Sequence, residues 1–420
     1  MRRSIRRRPS LSGGERCSMS ATTRDSTATE RRLRVRVVQR VLPEYRVPIF
    51  RRLAQEYDDF RVLYGKPYRG DSVRNAEVTK YSWAAPLRTW YAPGASAPYY
   101  CAVKDDSVRG AVVVVNAEVG NLTWPWLLWS RTRQKAAVVA WSFGYEPSRG
   151  FDPKHRWKDR LRAWLYQRSD AVLLYWDRAR QLLVERGGLA ERKLFVAPNT
   201  LDTDQQAKIR MGLEQGGRER ARQRLGVDVG PVFSYVGRLV DDKEVDRLLA
   251  AWSLLEGSPG WNGNLLIVGD GPNYEELRAM AARKSLGRVR FLGELRDPAR
   301  VGEVLFASDA VVIPGRLGLA VVHAFCFGTP VISTRRGELF HGEGIGYLQD
   351  EANGLLVEAG NIDALAGAMQ RVAGDAELLR QLRQGAERTL REQASLDVMI
   401  RGIKAAIQHA ADARERRAER

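Results

Sequence analysis

The sequence has few cysteines and histidines and no long apolar run, and these absences narrow what the protein can be. Its three cysteines, Cys17, Cys101 and Cys326, are far apart, with no C-x-x-C pair and no histidine spacing that suggests a zinc site. No apolar stretch approaches the roughly 20 residues that a membrane-spanning helix needs. We therefore expect a protein of the reducing cytosol, either soluble or attached to a membrane surface.

Positive charge is abundant, and it is unevenly distributed along the 420 residues. Residues 1–34 contain 10 arginines and three acidic residues, and residues 35–200 contain 28 basic and 16 acidic residues. Residues 201–420 are balanced, with 30 basic and 31 acidic residues. We predict that residues 1–31 form a disordered basic tail, because no apolar segment of a secretion signal follows them. Anionic partners are expected to bind the first half of the chain.

Short β-branched runs alternate with amphipathic segments throughout, which is typical of an α/β protein with parallel sheets. The length favours two domains. We predict a Rossmann-like domain over residues 32–200, a linker with one helix over 201–229, and a second Rossmann-like domain over 230–392. A last helix within 393–420 could pack back on the first domain. Two doubly wound sheets in series predict a ligand site in the cleft between them, at the carboxyl ends of strands.

The segment VGRLVDDKEVDRLL follows a predicted strand and places two cations around a strand-to-helix turn. Arg238 lies in the turn, and Lys243 lies where a helix capped by Asp241 or Asp242 is expected to open. A guanidinium and an ammonium at this spacing can bind a diphosphate. The alternative is a pair of solvated surface cations.

The segment PGRLGLAVVHAFCFGTPVIST combines a glycine-rich loop with a short helix. Gly315 and Gly318 bracket the loop, and the helix start near Leu319 offers free N–H groups to an anion. His323 lies one turn further along, where a neutral imidazole could bond a ribose hydroxyl or could be a buried histidine bonded to a backbone carbonyl. The turn containing Gly271 is a weaker signal, which simple turn geometry explains equally well.

These motifs, with VRFLGEL and NGLLVEAGNIDALAGAM, resemble the family-four retaining glycosyltransferases of the GT-B fold in order and spacing across residues 231–371. The resemblance implies that Arg238 and Lys243 are catalytic and hold a donor diphosphate. It also implies that VRFLG lies beside the nucleobase. The residues that it implies for donor binding are Gly237, Gly271, Phe291, Leu292, Gly315, Gly318, Leu319 and His323. The family usually has two glutamates where this chain has Gly315 and His323, a version that resembles some polysaccharide-assembly members.

The first half resembles the family less closely, in the segment LPEYRVPIFRRLAQEYDDFRVLYG and at later strand ends. The acceptor-side candidates are Tyr45, Arg46, Asn116, Glu118 and Tyr145, with simple loop structure as the alternative for each. The residues Trp157, Leu161, Trp164 and Leu165 form a helical stripe flanked by basic residues. It predicts either a core-facing helix or a contact with anionic lipid headgroups.

Together these features predict a metal-independent glycosyltransferase that needs no cofactor, and the resemblance implies that the reaction is retaining. Its donor is expected to be a UDP- or GDP-sugar, and its acceptor a glycan or a polyprenyl-diphosphate-linked glycan in cell-surface polysaccharide synthesis. We expect a cytoplasmic protein, either free or bound peripherally to the inner face of the plasma membrane through the basic domain. We expect no nucleic acid partner. Two alternatives stay open, namely a catalytically silent GT-B scaffold and a basic nucleic-acid-binding protein.

Overall fold

The computed structural model describes residues 32–69, 71, 73–94, 98–146, 149–227 and 229–419. The predicted basic tail, residues 1–31, lies outside these residues. No helix within the described ranges is both long enough and apolar enough to span a bilayer.

The N-terminal half folds around a seven-stranded sheet with the order β3-β2-β1-β6-β7-β8-β9, in which every neighbouring pair is parallel. Its central strands consist of valine and alanine runs buried on both faces, as expected for a parallel sheet covered by helices. A separate hairpin, β4 and β5, was not predicted, nor was the short edge strand β3. The strands are β1 Arg34–Gln39, β2 Asp59–Tyr64, β3 Ala84–Pro86, β4 Thr89–Tyr91, β5 Tyr99–Cys101, β6 Val112–Asn116, β7 Ala137–Ser142, β8 Ala171–Leu174 and β9 Leu194–Val196.

The C-terminal half folds around a six-stranded parallel sheet with the order β12-β11-β10-β13-β14-β15. This is the strand order of a Rossmann fold, and the direction of winding reverses between β10 and β13. The strands are β10 Val232–Val236, β11 Asn264–Val268, β12 Val289–Gly293, β13 Ala310–Ile313, β14 Val331–Arg335 and β15 Gly354–Glu358.

Helices cover both sheets, and several begin at side-chain caps, for example Asp202, Asp297 and Asn361, whose oxygens accept backbone N–H bonds in the first turn. The helices are α1 Val47–Glu56, α2 Asp105–Val108, α3 Thr123–Gln134, α4 Trp157–Arg168, α5 Asp177–Gly187, α6 Thr203–Glu214, α7 Gly217–Leu225, α8 Val245–Glu256, α9 Tyr274–Arg283, α10 Pro298–Ala307, α11 Ala320–Cys326, α12 Glu338–His341, α13 Ile362–Gly374, α14 Ala376–Thr389 and α15 Leu396–Ala418.

The segment 201–229 differs from the predicted linker with one helix. It forms two helices, α6 and α7, and both pack on α10 of the C-terminal half. Ala221 and Leu225 belong to the C-terminal core, and the Arg222 guanidinium bonds the Asp309 carboxylate at 2.8 Å. The polar composition that suggested a linker reflects the outer faces of these helices.

The last helix, α15, crosses back to the N-terminal half. It packs along β7, β8 and β9, and its apolar face, which includes Met399, Ile403 and Ile407, is part of the N-terminal core. The chain therefore passes twice between the halves, once before α6 and once after α14.

Candidate functional site

The loops that follow β10 and β13 meet at the point where the strand order reverses. The Gly315 N–H donates to the Lys243 carbonyl at 3.1 Å, and the Arg316 N–H donates to the Asp242 carbonyl at 2.7 Å. The Lys243 ammonium in turn donates to the Arg316 carbonyl, with Nζ and O 2.5 Å apart. Two motifs about 75 residues apart in sequence thus form one continuous surface at the place where doubly wound sheets bind ligands.

The turn that carries Lys243 differs from the predicted capped helix start. Asp241–Lys243 forms a short 3-10 helix, Glu244 has a left-handed φ of 52°, and α8 begins only at Val245 without a side-chain cap. The Glu244 carboxylate accepts from the Arg336 guanidinium at 2.8 Å. The prediction that Asp241 or Asp242 caps this helix is therefore wrong, because Glu244 breaks the helical path and is held by an arginine.

Arg238 and Lys243 have different surroundings. The Arg238 side chain is exposed, and within the described part of the chain it forms no ion pair. Its carbonyl accepts from the buried Tyr235 hydroxyl at 2.9 Å, which fixes the backbone. Burial lowers the pKa of Lys243, Asp242 partly offsets this effect, and Arg316 adds to it. The site therefore has a solvent-facing guanidinium and a half-buried ammonium.

Gly315 is required by close packing. A Cβ at this position would lie 2.3 Å from the Asp242 carbonyl oxygen and 2.6 Å from the Lys243 Cα. A Cβ at Gly318 would meet nothing within 4 Å. The turn that carries Lys243 thus occupies the space that any side chain at residue 315 would need.

Gly271 has an equally clear backbone role. Its φ is 158°, and a Cβ there would lie 2.2 Å from the Leu239 carbonyl oxygen. The Leu239 N–H donates to the Asp270 carbonyl at 2.9 Å, and the Gly237 N–H donates to the Val268 carbonyl at 3.0 Å. The β11 loop therefore supports the loop that carries Arg238.

His341 is a structural part of the site that sequence reasoning missed. The residue is fully buried, its Nδ1 accepts from the Leu317 N–H at 3.4 Å, and its Nε2 donates to the Thr334 carbonyl at 2.8 Å. Burial lowers its pKa, which favours the neutral ring that these two bonds require. A lone histidine after a strand carries no pattern that would have marked it.

His323 lies on α11 beside the helices that follow the N-terminal domain. Its Nε2 is 3.2 Å from the Gln206 side-chain oxygen of α6, and its ring centroid is 5.9 Å from that of Phe327. Burial lowers its pKa to about 4, so the ring is neutral at physiological pH. The short helix α11 begins at Ala320, after the predicted anion-binding residues Gly318 and Leu319.

Phe291 and Leu292 lie on the edge strand β12 and are half-buried. The Phe291 ring packs edge-on against Tyr274, with centroids 5.8 Å apart. These two residues are separated from the Arg238 loop by β11, so they lie at the far side of the site from Gly315.

The acceptor-side candidates of the N-terminal half have different surroundings. The Arg46 guanidinium bonds Gln39 and Tyr175 and lies 4.5 Å from the Trp141 ring centroid, whereas Tyr45 is exposed. Asn116 and Glu118 bond each other at 3.0 Å beyond β6. Tyr145 was predicted to be available at a strand end, but it is only 3% exposed and packs against Phe143 and Trp176 within the N-terminal core.

Comparison with known proteins agrees with this architecture. Residues 230–375 match the family model described as "Glycosyl transferases group 1". The chain is 29% identical over 255 residues to a 2-deoxystreptamine glucosyltransferase of Streptomyces kanamyceticus, covering 58% of this chain and 62% of that protein. It is 30% identical over 191 residues to the lipopolysaccharide core biosynthesis glycosyltransferase LpsE of Rhizobium meliloti, covering 44% and 52%. The matches therefore span less than two thirds of either relative.

The whole architecture is similar to that of a solved structure, Anabaena HepE in complex with UDP. The two chains superpose with a TM-score of 0.65 at 16% identity, covering 90% of this chain and all of the other. The predicted GT-B fold is confirmed, with two Rossmann-like parallel sheets facing each other. Residues 230–375 are therefore similar to group 1 glycosyl transferase domains, and the finer assignment to family four stays a prediction.

Proposed function

We propose that the protein is a retaining glycosyltransferase that moves a sugar from a nucleoside diphosphate donor to a glycan or polyprenyl-diphosphate-linked acceptor in cell-surface polysaccharide synthesis. The observation that carries the proposal is the junction of the Arg238–Lys243 turn with the Gly315 loop at the strand-order reversal. The family match over 230–375 and the UDP bound by a protein of the same fold support it.

The chemistry follows from the charges at this junction. Transfer requires charge that develops on the departing diphosphate to be stabilised, and Arg238 and Lys243 can supply that stabilisation without a metal ion. The resemblance to retaining enzymes supports attack by the acceptor on the face from which the diphosphate leaves. The donor is a UDP- or GDP-sugar, and no cofactor takes part in the step.

The proposal is tested by nucleotide binding and turnover in EDTA. We expect UDP or GDP to raise the melting temperature of the full chain by several degrees, with ADP and dTDP giving smaller shifts. We also expect release of nucleoside diphosphate from the matching sugar donor in EDTA at the rate seen with Mg²⁺. Binding without turnover on any acceptor would indicate the silent scaffold. Retention of random DNA without any nucleotide binding would indicate the nucleic-acid-binding alternative.

We further propose that the N-terminal half binds an anionic membrane surface on the cytoplasmic side through α3 and α4. Of the predicted stripe, Leu165 is buried and Leu161 is half-buried against the N-terminal core, whereas Trp157 and Trp164 are 63% and 46% exposed. On the neighbouring helix α3, Trp129 is 75% exposed. Each of these rings lies beside a cation, for example Arg168 at 3.7 Å from the Trp164 centroid. Aromatic rings with adjacent cations suit the boundary between lipid headgroups and acyl chains.

A double substitution on α4 tests this surface. We expect Trp157→Ala with Trp164→Ala to weaken binding to phosphatidylcholine vesicles containing phosphatidylglycerol by at least about tenfold, the equivalent of ~1.4 kcal/mol. Vesicle co-sedimentation measures the effect. Trp90→Ala is the matched control, because Trp90 is also half exposed but lies on the β4–β5 hairpin. Equal vesicle binding by the wild type and the double variant would remove α4 from the proposal.

A further inference from the structure

Glu244, the residue after Lys243, has a backbone conformation that its residue type does not favour. Its φ is 52° and its ψ is 40°, in the left-handed region, where the Cβ of any residue other than glycine is crowded. Lys135 and Ser285 share this region, but each follows the last turn of a helix, where a left-handed residue is common. Glu244 instead precedes a helix, α8, so contacts from the surrounding structure have to hold it there.

The Glu244 carboxylate is held by an arginine from a distant part of the chain. Arg336 follows β14 directly, and its Nη2 lies 2.8 Å from each of the two carboxylate oxygens. The side chains of Arg336 and Glu244 are only 21% and 14% exposed, so salt screens this ion pair little. The Arg336 guanidinium also lies over the Phe340 ring, 4.4 Å from its centroid. We propose that Arg336 is a positioning residue, which fixes Lys243 for the reaction by holding Glu244 in the left-handed conformation.

A change of φ at Glu244 would displace the turn that carries Lys243 and leave α8 in place. Val245 and Leu248 anchor the start of α8 in the C-terminal core. A rotation about the Glu244 N–Cα bond therefore moves the chain on the N-terminal side of that bond. The Lys243 carbonyl belongs to the peptide unit that would rotate, and it accepts from the Gly315 N–H at 3.1 Å. Loss of the left-handed conformation would thus break the contact between the turn and the β13 loop.

A second cation near Glu244 does not tie it to another loop. The Arg247 Nε lies 3.3 Å from a carboxylate oxygen of Glu244, but Arg247 belongs to α8 and its side chain is 37% exposed. It therefore holds Glu244 only to its own helix. Arg336 is the partner that joins the turn after β10 to the loop after β14. That the resulting position of Lys243 affects turnover rests on the proposed function.

The experiment removes the ion pair and then removes the need for it. We expect Arg336→Gln to lower kcat for nucleoside diphosphate release from a panel of UDP- and GDP-sugars about tenfold with little change in KM, because a displaced Lys243 loses an interaction made mainly in the transition state. Arg336→Gln with Glu244→Gly should recover most of the wild-type kcat, since glycine adopts the left-handed conformation without a partner. Arg336→Gln with Glu244→Ala also lacks the ion pair but keeps a Cβ, so its kcat should stay about tenfold low.

Arg371→Gln is the matched control, because it removes a similar ion pair elsewhere in the C-terminal half. Glu351 is also left-handed, with a φ of 59°, and its carboxylate accepts from the Arg371 guanidinium at 2.9 Å. Glu351 precedes the edge strand β15, whereas the Lys243 turn follows the central strand β10. We therefore expect wild-type kcat and KM for this variant.

Hydrogen exchange of the full-length protein without nucleotide measures the turn independently of any reaction. The Glu244 N–H donates to the Asp241 carbonyl at 3.1 Å, and the Gly315 N–H donates to the Lys243 carbonyl. Opening of the turn exposes both amides, so we expect Arg336→Gln to speed their exchange by about tenfold. The added Glu244→Gly substitution should restore slow exchange.

The two measurements separate the role of Arg336 from the proposed function. Faster exchange that Glu244→Gly reverses, in a protein that releases no nucleoside diphosphate from any donor of the panel, would support the hold on the turn and overturn the transferase proposal. Wild-type kcat and KM in Arg336→Gln would overturn the positioning role and leave the transferase proposal standing. A kcat that stays low in the Glu244→Gly double variant would also overturn it, since Arg336 would then act by another route, such as direct contact with the donor.

Discussion

Replacing Lys243 with alanine is expected to lower donor turnover by about 10²–10³-fold, the range found when one preorganised charge-stabilising group is removed from an active site. The ammonium is half-buried and is held by the Arg316 carbonyl at 2.5 Å, so it is already in place before the donor arrives. In the proposed reaction the diphosphate gains charge as it leaves, and an ammonium fixed beside it stabilises the transition state more than the ground state. Kinetics of nucleoside diphosphate release measure the turnover. Calorimetric titration with UDP or GDP measures the binding of the nucleotide.

Controls separate the charge of Lys243 from its structural role. Lys243→Met keeps most of the aliphatic stem but removes both the charge and the bond to Arg316, and it should be as inactive as the alanine variant. Lys243→Arg keeps the charge and should recover part of the binding but little turnover, because a guanidinium differs in shape from an ammonium. Lys284→Ala, at an exposed position after α9, should behave as the wild type. Wild-type donor affinity and turnover in Lys243→Ala would exclude the ammonium from the reaction.

The fold was largely predictable because parallel strands buried on both faces leave a direct signal in the sequence. The valine run of β6, for example, is buried at four of its five residues. The short strands β3, β4 and β5 were missed, because three residues do not establish a period. The polar composition of the segment 201–229 predicts a linker with one helix, and only the tertiary contacts of Ala221 and Leu225 show that it belongs to the C-terminal core.

The residues of the candidate site were predictable from the sequence, but the contacts that join its loops were less so. The sequence placed Arg238, Lys243 and Gly315 on loops at strand ends, and parallel-sheet topology brings such loops together. The left-handed Glu244 and its bond to Arg336 depend on a residue 92 positions away, which no local pattern reveals. The ribose contact predicted for His323 rests on helix spacing and on the flanking glycine loop, whereas its bond to Gln206 arises from the packing of α6 on α11. The role of each of these residues in binding stays a prediction.

Substitution at Gly315 should have the second large effect, on both stability and donor turnover. Its cause is a steric clash. A Cβ at 2.3 Å from the Asp242 carbonyl oxygen forces the Lys243 turn away from the β13 loop. Overpacking of this kind typically costs about 1–3 kcal/mol. We therefore expect Gly315→Ala to lower the melting temperature by about 3–10 °C. A displacement of about 1 Å at a site of this kind can cost ~10²-fold, so we expect donor turnover to fall by about that factor.

Gly318→Ala is the matched control for the stability measurement, because a Cβ there would meet nothing within 4 Å. Its melting temperature without nucleotide should equal that of the wild type. Gly315→Glu would restore the residue usual in the family that this chain resembles, but it should lower activity further, because the space for its Cβ is filled by the backbone of Asp242 and Lys243. Glycine at 315 and the position of the Lys243 turn therefore depend on each other. Two results together would contradict this close approach of the two loops. They are a wild-type melting temperature for Gly315→Ala and a higher donor turnover for Gly315→Glu than for the wild type.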